Sequence, residues 1–249
     1  MGAMLPPVRQ LHPVVLDDVD PYELYAADDR PAHPDGRPWL MVNMVTTLDG
    51  ATTVGGVSGP LGGEADKAVF RAIRSLPDVI LVAAGTVTAE GYGPPRPGLG
   101  GRPAPRLAVI TAALSIDPLA RLFAEAEPAN RPFVITATGA EPERLAALAA
   151  VSAEVIVAGE GRVNLREALL ALGSRGASIV LCEGGPSLIG QLVVDDLVDE
   201  LCVTVAPVLA SGDSARIAHG AERNPPQQMA LARILEQDGV LCCRYVRRD

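Results

Sequence analysis

The stretch LCEGGPSLIGQL, residues 181–192, decides how this chain is read. An apolar run, Ser178 to Cys182, stops at the carboxylate of Glu183. Two glycines, a proline and a serine follow, and then apolar residues resume at helical spacing. The pattern is a buried strand, a tight turn and a helix. Gly184 and Gly185 permit positive φ and let a ligand come close to the backbone. Pro186 suits the first helical position, where its missing N–H costs nothing. The N–H groups of Ser187 and Leu188, with the Ser187 hydroxyl, then face the carboxyl end of the strand. That is an anion site at a helix N-terminus, suited to a pyrophosphate. Ligands in open α/β sheets bind beyond the carboxyl ends of strands. A plain strand-to-helix turn uses the same residues, and this stretch alone does not separate the two. It is neither a G-x-G-x-x-G fingerprint nor a G-x-S-x-G elbow.

Outward from this stretch, strand and helix patterns alternate. Short apolar runs at 39–45, 79–84, 106–111, 133–136, 154–158 and 178–182 predict buried strands. Helical spacing covers 65–76, 141–151, 164–176 and 186–198. The fold expected is α/β, a mainly parallel central sheet flanked by helices. Two closing strands, 201–209 and 240–248, have no strong helix between them, which predicts an antiparallel C-terminal strand pair. Residues 1–38, rich in Pro and Asp, read as an N-terminal extension, wrapped over a domain or partly disordered, and 39–249 as the domain itself. Met1 to Met4 are set aside as an expression remnant. Residues 91–106 form a long Pro/Gly loop, of a length that is usually functional or disordered.

Of 249 residues, 48% are hydrophobic but only 3% aromatic, so Val, Leu, Ile and Ala must build the core. Net charge is -9 with no basic stripe, which argues against a nucleic-acid partner. Cys182, Cys202, Cys242 and Cys243 lie in or beside apolar strand runs without ligand spacing. They read as buried reduced thiols, which suits the cytoplasm. There is no long apolar span, so no membrane is expected. His12, His33 and His219 are scattered, and no metal site is expected.

Three other stretches carry polar groups at turns. VTTLDG, 45–50, ends a strand at an Asp-Gly turn, where Asp49 alone reads as a turn former. Asp66, Phe70 and Arg74 fall at i, i+4 and i+8, one ridge of the 65–76 helix. A carboxylate, a ring and a guanidinium in a row could hold a planar heterocycle, although a solvated face with an intrahelical ion pair is the commoner outcome. AAGTVTAEGYG, 83–93, ends a strand at Gly85-Thr86, with Glu90 four residues on.

Taken together and in order, TTLDGA, FRAIRSLPDVILVAAGTV, LCEGGPSLIGQL and LVDELCVTVAPVLASG resemble the reductase family named for the C-terminal domain of RibD, the bifunctional deaminase-reductase of riboflavin biosynthesis. The resemblance runs from Trp39 to the C-terminus. It implies a dihydrofolate reductase-like fold, NADPH as cofactor, a small heterocyclic substrate and a homodimer. The activity implied is that of a 5-amino-6-(5-phosphoribosylamino)uracil reductase. By the resemblance, Val45, Gly85, Thr86, Glu90, Gly184, Gly185, Pro186, Ser187 and Leu188 match cofactor-contacting positions, with Thr111 a weaker match to the segment holding the cofactor's 2′-phosphate. Ser58, Arg74, Glu183 and Asp49 fall on the substrate side. Asp66 resembles the pteridine-binding acid of dihydrofolate reductases, and Asp66 and Glu183 are the catalytic candidates. Two departures stand out. Ala51 replaces the Lys or Arg that family pyrimidine reductases carry after LDG, and Gly59-Pro60-Leu61 stands where they often read W-I-T. The zinc signature of the deaminase half is absent from this sequence. Dihydrofolate reduction, and a cofactor-binding sensor or scaffold without turnover, remain as alternatives.

Overall fold

The computed structural model describes residues 7–151 and 153–248; Met1 to Met4 lie outside them. Ten strands form one sheet in the order β1-β9-β10-β8-β2-β7-β3-β4-β5-β6. From β8 to β6 all neighbours are parallel: β8 (Glu200–Ala206), β2 (Trp39–Thr47), β7 (Ile179–Cys182), β3 (Val79–Ala83), β4 (Arg106–Ile110), β5 (Phe133–Thr138) and β6 (Glu154–Glu160). The parallel strands are short aliphatic runs because helices cover both of their faces. Leu40, Val42, Val180 and Cys182 point to α6 (Leu165–Gly173) and α7 (Pro186–Val194). Met41 and Leu181 point the other way, to α2 (Gly63–Arg74), whose Ala65, Val69 and Ile73 make its buried stripe. Further along that face Ile80, Val82, Leu107 and Val109 pack with α3 (Ala84–Glu90), α4 (Arg121–Ala124) and α5 (Pro142–Ala150).

The C-terminal part is larger than a strand pair. β8 and β10 (Val240–Arg247) are antiparallel, as the sequence predicts. β10 is not an edge, because β9 (Met229–Gln237) pairs with its other side through a hairpin. Asp238 and Gly239 both take positive φ at its turn, the conformation that Asp-Gly favours between twisted strands.

The segment before Trp39 joins the same sheet and core. β1 (Arg9–His12) pairs with β9, and α1 (Pro21–Ala26) buries Tyr25 completely against the α2 face. Behind Tyr25 lies a cluster of buried charge. The Glu200 carboxylate accepts from Arg30 at 3.0 Å on each oxygen, from Arg244 at 2.7 and 3.2 Å, and from the Trp39 indole at 3.1 Å. Asp199 accepts from both ends of the Arg37 guanidinium and from the Leu40 N–H. These pairs fasten residues 30–37 to the start of β8.

Candidate active site

The carboxyl ends of β2, β7 and β3 lie side by side, because the chain returns from β6 to insert β7 between β2 and β3. Each of these strands ends in residues that the sequence singles out. β7 ends at Glu183-Gly184-Gly185, and α7 starts at Pro186 with Gly185 as its cap. Proline has no N–H, and the Ser187 and Leu188 N–H groups have no carbonyl one turn back to bond. Ser187 is exposed, while Leu188 anchors the turn in the core. β3 runs into α3, whose first turn holds Gly85 and Thr86. The two helix starts meet: Ala83 N–H donates to the Gly184 carbonyl at 2.9 Å, and a β-carbon on Gly185 would stand 2.7 Å from the Thr86 hydroxyl. A β-carbon on Gly85 would meet nothing within 4 Å, so this floor is open. From Ser187 a groove of about 990 Å³ continues along α7 past Gln191, bounded across from it by Thr138, Gly159 and Arg162.

On the α2 face the same strand ends carry charge. Arg74 grips Glu183 in a fork, Nε to Oε1 at 2.7 Å and Nη2 to Oε2 at 2.9 Å. The Glu183 side chain is 4% exposed and that of Arg74 32%. The Arg74 guanidinium lies 4.9 Å from the Phe70 ring centre and 5.7 Å from that of Tyr92. The Tyr92 hydroxyl donates to Glu183 Oε2 at 2.8 Å. Asp66, two turns up the same helix, sits against β8. Burial pushes its carboxyl above the usual range, partly opposed by a hydrogen bond with Thr204, the residue opposite Val45.

Of the other expected residues, Ser58 and Glu90 contact each other. Ser58 N–H and hydroxyl both donate to Glu90 Oε1, at 3.2 and 3.1 Å, so the loop after β2 is tied to the end of α3. Thr111 is 5% exposed and its hydroxyl accepts the Ser115 N–H, so its side chain serves the turn after β4. Asp49 is likewise engaged. Its carboxylate accepts from the Thr47 hydroxyl and from the Ala210 and Ser211 N–H groups, which joins the loops after β2 and β8. These bonds, Thr47 foremost, hold its pKa down to about 2. These bonds make Asp49 a turn former that also bridges two loops, in keeping with its Asp-Gly context. Ala51 is 5% exposed and its N–H goes to the Thr47 hydroxyl. No expected role falls on Tyr92; its one signal in the sequence is an aromatic ring at the head of a Pro/Gly loop. The residues of the α7 groove, Arg162 and Gln191 among them, carried no motif.

A parallel sheet with an antiparallel end, and a cleft at the ends of its central strands, define a dihydrofolate reductase-like α/β protein. Dihydrofolate reductase from Enterococcus faecalis superposes with a TM-score of 0.50 at 14% identity, over 86% of this chain and 98% of that one, a likeness of fold alone. Residues 38–242 match the RibD C-terminal domain, and the chain belongs to that family. It is 33% identical over 192 residues to the 2,5-diamino-6-ribosylamino-4(3H)-pyrimidinone 5′-phosphate reductase of Methanothermobacter thermautotrophicus, covering 72% of this chain and 82% of that protein. A pyrimidine reductase-like protein from Corynebacterium diphtheriae superposes with a TM-score of 0.79 at 29% identity, over 93% of this chain and all of the other. The chain is an oxidoreductase. No helix among the described residues is long and apolar enough to cross a membrane.

Proposed function

We propose that this protein is an NADPH-dependent reductase acting on a ribosylamino-pyrimidinone phosphate of the riboflavin pathway. The observation that carries this is the juxtaposition at the end of β7: the Arg74–Glu183 fork stands next to the Gly184-Gly185-Pro186 helix start. One side of the strand end suits a polar heterocycle and the other an anion.

The residues present fit the cofactor. The open floor at Gly85 and the unpaired N–H groups of Ser187 and Leu188 would receive a pyrophosphate, and the groove along α7 is large enough for an adenosine. Val45, Thr86 and Glu90 would border the cofactor toward the strand ends. When bound, the reduced nicotinamide supplies the hydride that converts the opened ribose to ribityl at its C1. The protein's own part is alignment. Arg74 spends two of its five N–H donors on Glu183 and keeps the rest for a carbonyl or phosphate oxygen. Glu183, paired with a guanidinium, accepts an N–H or O–H. Ser58 borders the same space through its tie to Glu90. Burial raises the proton affinity of the Asp66 carboxyl, which suits it to pass a proton to the reacting group. In this reading residues 39–249 are the catalytic unit, residues 1–38 are an extension that supports it, and the cytoplasmic protein works as a homodimer.

A pterin is the second reading, and Asp66 favours it, being a half-buried acid on the helix beside the cleft. NADPH oxidation with the ribosylamino-pyrimidinone phosphate and with dihydrofolate in parallel decides between them. Turnover of the pyrimidinone is expected; turnover of dihydrofolate alone overturns the first reading. NADH replacing NADPH at equal affinity overturns the cofactor choice.

A further inference from the structure

Tyr92 belongs to no motif, yet its hydroxyl ends on the most buried carboxylate of the cleft. Each carboxylate oxygen has about two acceptor positions. Oε2 of Glu183 takes Arg74 Nη2 at 2.9 Å and Tyr92 Oη at 2.8 Å. Oε1 takes Arg74 Nε at 2.7 Å. One acceptor position is left, on Oε1. Without the phenol a second would open on Oε2, to solvent or to a differently placed ligand.

The phenol is built into its place. Gly91 caps α3 in the left-handed conformation, and the Tyr92 N–H bonds the Val87 carbonyl at 3.1 Å. Its ring packs against the α3–α5 core on one side and the Arg74 guanidinium on the other. Burial first, and then Glu183, raise its pKa, so it stays a neutral donor at any working pH. Beyond it the Pro/Gly loop is fixed again farther on. Leu99 N–H donates to the Ser75 hydroxyl at 2.8 Å, and Gly98 lies so close to Ser75 that a β-carbon would stand 2.8 Å from its Cα. Tyr92 therefore holds the near end of a loop whose far end rests on α2, the helix that carries Arg74.

We propose that Tyr92 is a positioning and specificity residue: it closes one oxygen of Glu183, so that the Glu183–Arg74 pair offers a planar ligand one acceptor beside a set of donors. The matching ligand edge is an N–H next to a carbonyl, as in an aminopyrimidinone or a pterin. This rests on the reductase reading for its ligand class, although both candidate rings carry such an edge.

The test measures binding to the cofactor-free protein by calorimetry, using the ribosylamino-pyrimidinone phosphate and dihydrofolate. Wild type, Tyr92→Phe, Glu183→Gln and the double variant are compared on whichever ring wild type binds. Tyr92→Phe keeps the ring and its packing and drops only the hydroxyl. It is expected to weaken binding and raise KM about tenfold, the scale of one hydrogen bond to a charged group, with kcat within about twofold and NADPH affinity unchanged. In the Glu183→Gln background the same change is expected to do little, because the effect runs through the carboxylate. Unchanged binding and KM in Tyr92→Phe, or an equal loss in both backgrounds, overturns the role of Tyr92 while leaving the reductase reading intact. Wild-type binding of dihydrofolate alone overturns the pyrimidinone reading and leaves Tyr92 to be judged on the pterin. Wild-type binding of neither ring overturns both. If Tyr92→Phe does not fold, the hydroxyl serves the fold and the proposal is overturned.

Discussion

Gly185 and Thr86 are so close that a methyl group on the glycine would stand 2.7 Å from the threonine hydroxyl. This contact joins the starts of α7 and α3, and it separates two roles for small residues in the cleft. Gly185→Ala must push Thr86 aside, and overpacking of this kind costs about 1–3 kcal/mol. Gly85 has open space where its side chain would be. Gly85→Val is expected to change stability by less than about 0.5 kcal/mol, slightly in favour of Val through helix propensity, while weakening NADPH at least about tenfold by filling the floor. Thermal melts with and without NADPH check both. A Gly85→Val protein that binds NADPH like wild type removes Gly85 from the cofactor site.

The buried carboxylate of Glu200 has no route to solvent. Burial works against its charge, but Arg244 and Arg30 prevail and hold its pKa below the usual range. Replacing Glu200 with Leu would leave Arg30 and Arg244 to share the single carboxylate of Asp28, and breaking a buried pair in this way costs about 3–5 kcal/mol. Denaturant unfolding should show that loss. Because the folded pKa is depressed, the stabilisation is present above the unfolded carboxylate range and fades as pH falls through the folded value. A Glu200→Leu protein as stable as wild type at neutral pH contradicts this account.

Asp49 makes a pH prediction of the same sign. Its pKa of about 2 means that the bonds to Ala210 and Ser211 persist in full above the unfolded value near 4. They weaken only as pH drops toward 2. Protection of the Ala210 and Ser211 amides against hydrogen exchange should be flat from pH 7 to about 4. Asp49→Asn should lower it at every pH in that range, with substrate affinity changed less than by substitution of Arg74. A larger loss of affinity in Asp49→Asn than in Arg74→Lys would return Asp49 to the substrate site.

The parallel strands were legible because burial on both faces leaves little but aliphatic residues, as in Val79–Ala83. β9 was not. Met229–Gln237 reads Met-Ala-Leu-Ala-Arg-Ile-Leu-Glu-Gln, mostly good helix formers, and only pairing to β1 and β10 makes it a strand. The site divides along the same line. Gly184 announces itself because its backbone takes a positive φ, and Pro186 because it opens a helix; Gly185 does not take the positive φ expected of it, and is kept small by the Thr86 hydroxyl instead. Arg74 and Glu183 lie 109 positions apart, and nothing local says that they meet. The family resemblance sets Ser58 against the substrate and Glu90 against the cofactor, and the fold makes the two hydrogen-bonding partners. Tyr92 was hidden for the same reason, since its partner follows the neighbouring strand, 91 positions on.

In the proposed reading, Asp66 is the residue that separates the two candidate substrates. Burial raises its pKa, so the folded protein binds its proton more tightly than the unfolded chain does. Below the unfolded value near 4 both states are protonated and burial costs nothing. As pH rises through the folded pKa, the buried charge becomes a net destabilisation. Asp66→Asn should therefore melt higher than wild type at neutral pH, and the two curves should converge in acid. The same substitution removes a proton that the reaction can use. If the protein reduces a pterin, the rate should fall by about 10²–10⁴, the usual worth of a positioned acid or base. If it reduces the ribosylamino-pyrimidinone, with Arg74 and Glu183 doing the holding, the loss should be smaller and weighted toward kcat. A stabilised Asp66→Asn enzyme with full activity on both substrates would leave Asp66 a buried acid without a catalytic task.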